Sequence, residues 1–193
     1  VKSNNRIVAE IIMSNTLKPF ERITDLVTGK DIPNVGAEEN RQAVERFLLE
    51  KKGYSKNDIE VDVDMKLIVA GEPYHSQVDL VISADGGKTR IMAIKCAAAS
   101  LGSREREIVA AARLLDEYQI PFAVVSDGKT ATVLDAVSGR KVEEGLEAIL
   151  SKKEVLKMQN SLKLRPFPKE RLEREKLIFR SYDSMNVNVQ RNI

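Results

Sequence analysis

Hydrophobic spacing changes along the 193-residue chain, and each change marks a change of element. Up to Gly53 the apolar positions recur every three to four residues. The segment Arg6 to Met13 predicts a short helix, and Lys18 followed by Pro19 breaks it before Phe20 to Val27. Thr28 to Pro33 and Val35-Gly36 carry turn chemistry. A stronger helix is expected from about Ala37 to Lys52, with Val44, Phe47 and Leu48 on one stripe and Gly53 as its stop.

Past Gly53 the period falls to two. Ile59 to Leu67 alternates apolar and charged residues through nine positions, the pattern of a strand with one buried face. A turn at Gly71 to Pro73 leads into a strand over Gln77 to Ile82. Asp85-Gly86-Gly87 then closes a hairpin into Thr89 to Ile94, whose consecutive apolar residues suit a central strand covered on both sides. Ser103 is placed to cap a helix running to about Tyr118, with Ile108, Ala111, Ala112 and Leu115 facing inward. Ile120 to Val125 and Ala131 to Asp135 predict two more strands around Asp127-Gly128, and Ser138-Gly139 a further turn. Helices are expected over Val142 to Lys153, Val155 to Leu162 and Lys169 to Phe179. The order predicts an α/β core with a mixed central sheet, an antiparallel meander plus following strands, flanked by helices. Three parts are expected: an N-terminal helical extension (1–35), the core (36–142) and a basic helical C-terminal extension (143–193).

Composition narrows the classes. No run approaches the roughly 18 to 20 apolar residues of a membrane span, so no membrane partner is expected. One cysteine and one histidine exclude a four-ligand zinc site of the usual kind, and a reducing cytoplasm is the default. Net charge is only +2, yet residues 151–193 carry 11 Lys/Arg against 5 Asp/Glu. A basic tail of that sort suits nucleic acid, as it does a solvated helix. The absence of Trp and the low aromatic content weigh against a base-stacking platform. Glycine-rich phosphate loops and Walker-type Gly-Lys-Ser/Thr segments are absent, so neither dinucleotide binding nor translocation is expected of these residues.

Two residues break the rule of their own strands. Asp79 sits among Val78, Leu80, Val81 and Ile82, and Lys95 ends the apolar run Ile91 to Ile94. An inward carboxylate or ammonium is costly unless paired or bound to an ion. If the Asp79 and Lys95 strands are the second and third of one meander, the two are expected to project into the same crevice, where a carboxylate holding Mg²⁺ and a lysine orienting or helping deprotonate water form a minimal kit for phosphodiester hydrolysis. A buried, hydrogen-bonded aspartate and an edge lysine reaching water account for the same letters. His75 and Cys96 offer neither metal-ligand spacing nor a nucleophilic pair.

Glu38 to Gln42 followed by Gly53-Tyr54, the strand Gln77-Val78-Asp79, the strand Met92 to Lys95, and Ser103 to Glu107 leading to Ala112-Arg113-Leu114 together resemble the N-terminal domain of type I restriction enzyme R subunits. The resemblance covers roughly residues 20–145 and implies membership of the PD-(D/E)xK nuclease superfamily, with a restriction-endonuclease-like core. It implies Asp79 as metal ligand, Lys95 as catalytic lysine, Mg²⁺ as cofactor, and DNA and restriction-modification subunits as partners, with room for a homo-oligomer. The acid two positions before the lysine is replaced by Ala93. Positions 93 and 95 share a strand face, so a carboxylate is missing beside the metal position. A glutamate of the first helix, Glu39 in preference to Glu38, is the expected replacement, with Glu105 or Glu107 of the following helix as a further option. Arg104 and Arg106 at a helix start are expected to meet DNA phosphates, and Gln77 to orient a water or a base edge. The alternative is a module of the same fold that binds DNA or a subunit without cleaving.

Overall fold

A computed structural model describes residues 21–158 and 161–184. The chain order is β1 (Arg22–Thr24), β2 (Asp31–Pro33), α1 (Glu38–Glu50), β3 (Ile59–Val69), β4 (Glu72–Ser83), β5 (Arg90–Cys96), α2 (Glu105–Leu114), β6 (Phe122–Ser126), β7 (Ala131–Asp135), β8 (Arg140–Glu144), α3 (Lys152–Met158) and α4 (Lys169–Asp183). Strands β3 to β8 form one six-stranded sheet in sequence order. Every pairing is antiparallel except β5 with β6, which α2 connects. The result is an α/β fold with a mixed sheet flanked by helices.

Two apolar clusters sandwich the sheet. Val44 and Leu48 of α1 and Val155 of α3 join Leu80, Ile82, Ile94 and Val124 in one. Ile108, Ala111 and Ala112 of α2 and Phe179 of α4 join Val81, Ala93, Ala123 and Val125 in the other. Alternation in β5 and β6 thus sends successive side chains into opposite cores. Each fully buried aliphatic side chain contributes about 1.5 to 3 kcal/mol, and truncating Leu48 to alanine would cost about 2 to 5 kcal/mol.

Strand β3 departs from the one-faced strand that its letters predict. Ile59 and Val61 pack with the α1 core, whereas Val63, Met65 and Leu67 pack with the α2 core. The switch falls at Asp62, whose φ is 51°, a left-handed value that Asp tolerates better than most side chains. The pairs Val61–Leu80 and Val63–Val78 bracket Asp62 and Asp79, so both strands change face where Asp79 sits.

Other expectations shift at the ends. The helix expected over Val142 to Lys153 is replaced by strand β8, a short 3-10 turn and α3. Gly139 and Gly145 bracket β8 with φ of 71° and 103°, values a continuous helix does not allow. Asp31 to Pro33, read as a turn, pairs with Arg22 to Thr24 as a two-stranded hairpin. Helix α2 stops at Leu114 rather than Tyr118. Ser103 does not cap it; its hydroxyl donates to the Ser100 carbonyl within a preceding 3-10 turn. The helix expected over Arg6 to Met13 lies outside the described residues. Among the described residues no helix is long and apolar enough to cross a membrane.

Candidate functional site

The β4–β5 register pairs Leu80 with Ile94 and Val81 with Ala93. Continuing it by one residue sets Asp79 across from Lys95, on the face that α2 covers. The Lys95 Nζ lies 3.7 Å from Asp79 Oδ1 and 3.2 Å from Glu107 Oε1, which α2 lowers onto the pair from its first turn. Asp79 Oδ2 accepts the Cys96 backbone N–H at 2.7 Å. Arg104 Nη1 reaches Glu107 Oε2 at 3.3 Å. Two carboxylates are therefore matched by two cations, and the cluster is nearly closed: Asp79, Lys95 and Glu107 are 4%, 9% and 3% exposed. Burial opposes the charge on Lys95, but Asp79, Glu107 and Asp183 outweigh it and hold the ammonium above the ordinary lysine range. Lys95 is a fixed positive charge at neutral pH.

Helix α4 closes this side of the molecule. Its Phe179 meets the Tyr74 ring edge-on at 6.2 Å, and the guanidinium of Arg180 lies 5.7 Å from the centre of the same ring. Tyr74 donates to Asp183 Oδ2 at 2.6 Å. Burial, then that bond to a carboxylate, keeps the Tyr74 phenol protonated well above its usual range. A buried ion pair between Arg113 and Glu175, 2.7 Å, fixes the middle of α4 to α2.

At the end of β5, α1 approaches the sheet. Asn40 donates to the Ala97 carbonyl at 2.7 Å. Gly128 in the β6–β7 turn permits the approach, because a Cβ there would stand 2.8 Å from that of Ala43.

The acids of α1 do not take up the expected position beside Asp79. Glu39 is exposed and accepts a hydrogen bond from Asn34 at 2.9 Å. Among the described residues it makes no ion pair or hydrogen bond with Asp79 or Lys95. Its place in the first turn points it to the β2–α1 connection rather than to the sheet. Glu38 is buried and bound to Arg41. The second carboxylate at Lys95 is Glu107, which continues the inward stripe of Leu115 and Ala111 back by one turn; that four-residue spacing is visible in the sequence. Gln77 is exposed and donates to Asp64 at 3.1 Å. Arg104 is half-buried against Glu107, and Arg106 is exposed on the following residue pair of α2. His75 is exposed and Cys96 is a buried thiol in no disulfide.

Sequence reasoning missed a second buried ion cluster. Arg41 contacts Glu38, Asp25 and Glu45 at 2.5, 3.0 and 3.1 Å, and Gln42 ties Asp25 to α1. Arg41 lies three positions before Val44 on the inward stripe, again a legible spacing.

With this geometry in place, comparison with known families is informative. Residues 36–149, more than half of the chain, match the model of the type I restriction enzyme R protein N terminus. The chain belongs to that family. No curated protein and no solved structure matches it.

Proposed function

We propose that this domain is a Mg²⁺-dependent nuclease of the PD-(D/E)xK type, serving a restriction system by hydrolysing DNA phosphodiesters at Asp79, Lys95 and Glu107. The observation that supports it is the meeting of a strand-borne Asp and Lys with a second carboxylate on the face where Ala93 leaves an acid missing.

Among the described residues no three His, Cys, Asp or Glu side chains gather as a metal cage. Mg²⁺ does not require one: it keeps several waters and takes one or two carboxylates plus substrate phosphate. The donor set of Asp79 and Glu107 fits that chemistry, and the ion, when bound, neutralises phosphate charge and acidifies a bound water. The Cys96 N–H fixes one oxygen of Asp79 and leaves the other turned to the site. Lys95 orients the attacking water and stabilises negative charge growing on the phosphate. Arg104 orients Glu107, and with Arg106 it presents positive charge to the DNA backbone at the start of α2.

Nicking of supercoiled plasmid in Mg²⁺ or Mn²⁺ is the direct test. The folded parent is expected to nick, and Lys95→Met to fall on the order of 10²-fold or more. One observation favours a second reading: the three groups already satisfy one another in a nearly closed cluster. A parent that binds duplex but never nicks it would identify a non-cleaving DNA-binding or subunit-contact domain.

A further inference from the structure

A groove of about 740 Å³ opens on the α1 side of the molecule, lined by Lys51, Lys52, Lys152, Lys153 and Lys157 with Leu156 among them. Its two walls come from segments a hundred residues apart and are locked together. The Lys152 backbone N–H donates to the Lys52 carbonyl at 2.9 Å. Lys52 Nζ reaches the Glu147 carbonyl at 2.7 Å and its carboxylate at 3.0 Å, and Lys152 Nζ reaches Asp58 at 2.7 Å. Those two lysines hold the groove in shape. The other three, Lys51, Lys153 and Lys157, are exposed, with the Glu154 carboxylate beside them held below its usual range by Ser151 first and by Lys52 and Lys157 in part.

We propose that this groove is a second, sequence-independent contact for the phosphate backbone of duplex DNA, separate from the Asp79 site. The lining chemistry selects the ligand class. Lysines act as point charges toward phosphate oxygens, which suits a contact that reads backbone charge rather than sequence. Leu156 is the one large apolar side chain among the described lining residues, and no aromatic ring is among them to stack a base or anchor a peptide. Lys153 and Lys157 are one helical turn apart, about 6 Å along the axis, the axial rise of about two nucleotides in one strand.

The test is the salt dependence of binding of the full chain to a fluorescent 20-base-pair duplex in EDTA, where metal chemistry does not enter. The triple variant Lys51→Gln, Lys153→Gln, Lys157→Gln alters exposed side chains, and an unchanged melting temperature confirms its fold. Its slope of log K against log salt is expected to be shallower by about 2.7, at about 0.9 per lost phosphate contact, and the corresponding triple Arg variant to restore the parent slope. An unchanged slope overturns the groove proposal, as does a parent that fails to bind duplex or that prefers a poly-glutamate peptide of equal charge. A parent that binds with the expected slope but never cleaves would remove the nuclease reading and leave the groove standing.

Discussion

Arg41 and Lys95 are both buried cations surrounded by carboxylates, one in the α1 core and one under α2, and the differences between them separate structure from chemistry. Arg41 spreads its charge over Glu38, Asp25 and Glu45 at 2.5 to 3.1 Å, is 1% exposed, and is held charged against burial by Asp62 and Glu38 foremost. A planar fork with several fixed acceptors is a brace, tying the β1–β2 hairpin to α1. Lys95 has one contact at 3.2 Å and one at 3.7 Å, the latter beyond ordinary hydrogen-bond reach. Each of its carboxylates also has another donor, the Cys96 N–H or Arg104. The carboxylates around Arg41 keep other donors too, Thr28 and Gln42 on Asp25 and Gln42 on Glu38, so the two clusters differ in how many carboxylates each cation touches and how closely.

Substitution at the two cations should expose this contrast most strongly. Arg41→Met removes the close cation from three buried carboxylates and is expected to lose about 3 to 5 kcal/mol in urea unfolding. Lys95→Met, whose neighbours keep their other donors, is expected to lose about 1 to 2 kcal/mol, the range for buried groups that stay partly bonded. Equal losses would erase the distinction.

The clusters also separate by pH. Burial raises the Glu45 carboxyl from 4.5 to about 8, with Arg41 opposing and Asp25 reinforcing the shift. The folded chain then keeps a proton that the unfolded chain releases near 4.5, so stability falls as pH rises from there through about 8, by up to about 1.4 kcal/mol per unit. Glu45 Oε2, buried without a hydrogen-bond partner, is consistent with a group that stays protonated over that window. Glu45→Gln should flatten the decline between urea midpoints measured at pH 5.5 and 8; a parallel decline would show that Glu45 is ionised throughout. The smallest effect belongs to the α4 closure: Tyr74→Phe removes the bond to Asp183 and should cost about 1 kcal/mol in thermal unfolding.

Much of this layout is legible in the letters. The expected helix from Ala37 to Lys52 and the meander strands are present, because their apolar spacing is driven by cores on both sheet faces. Asp79 and Lys95 announced themselves as charges in apolar strands, and the register brings them together. What escaped depends on position rather than composition. The face change at Asp62 leaves the alternation of β3 untouched, since a left-handed residue flips the strand without altering its period. Val142 looked helical because β8 is a charged edge strand with no apolar alternation of its own. Glu107 stands behind Glu39 in the sequence reading because the family resemblance points to an acid on the first helix, although its inward stripe marks it. Asp183 and Tyr74 stand 109 residues apart, beyond any local pattern.

Mn²⁺ titration by calorimetry of the folded parent, Asp79→Asn and Glu107→Gln tests the central claim most directly, because it separates the carboxylates from everything downstream of them. Saturable uptake in the parent that disappears in both variants is the predicted result. A parent that takes up no metal, or a Glu107→Gln variant that binds it like the parent, would contradict the assignment of Asp79 and Glu107 as the site's two acids.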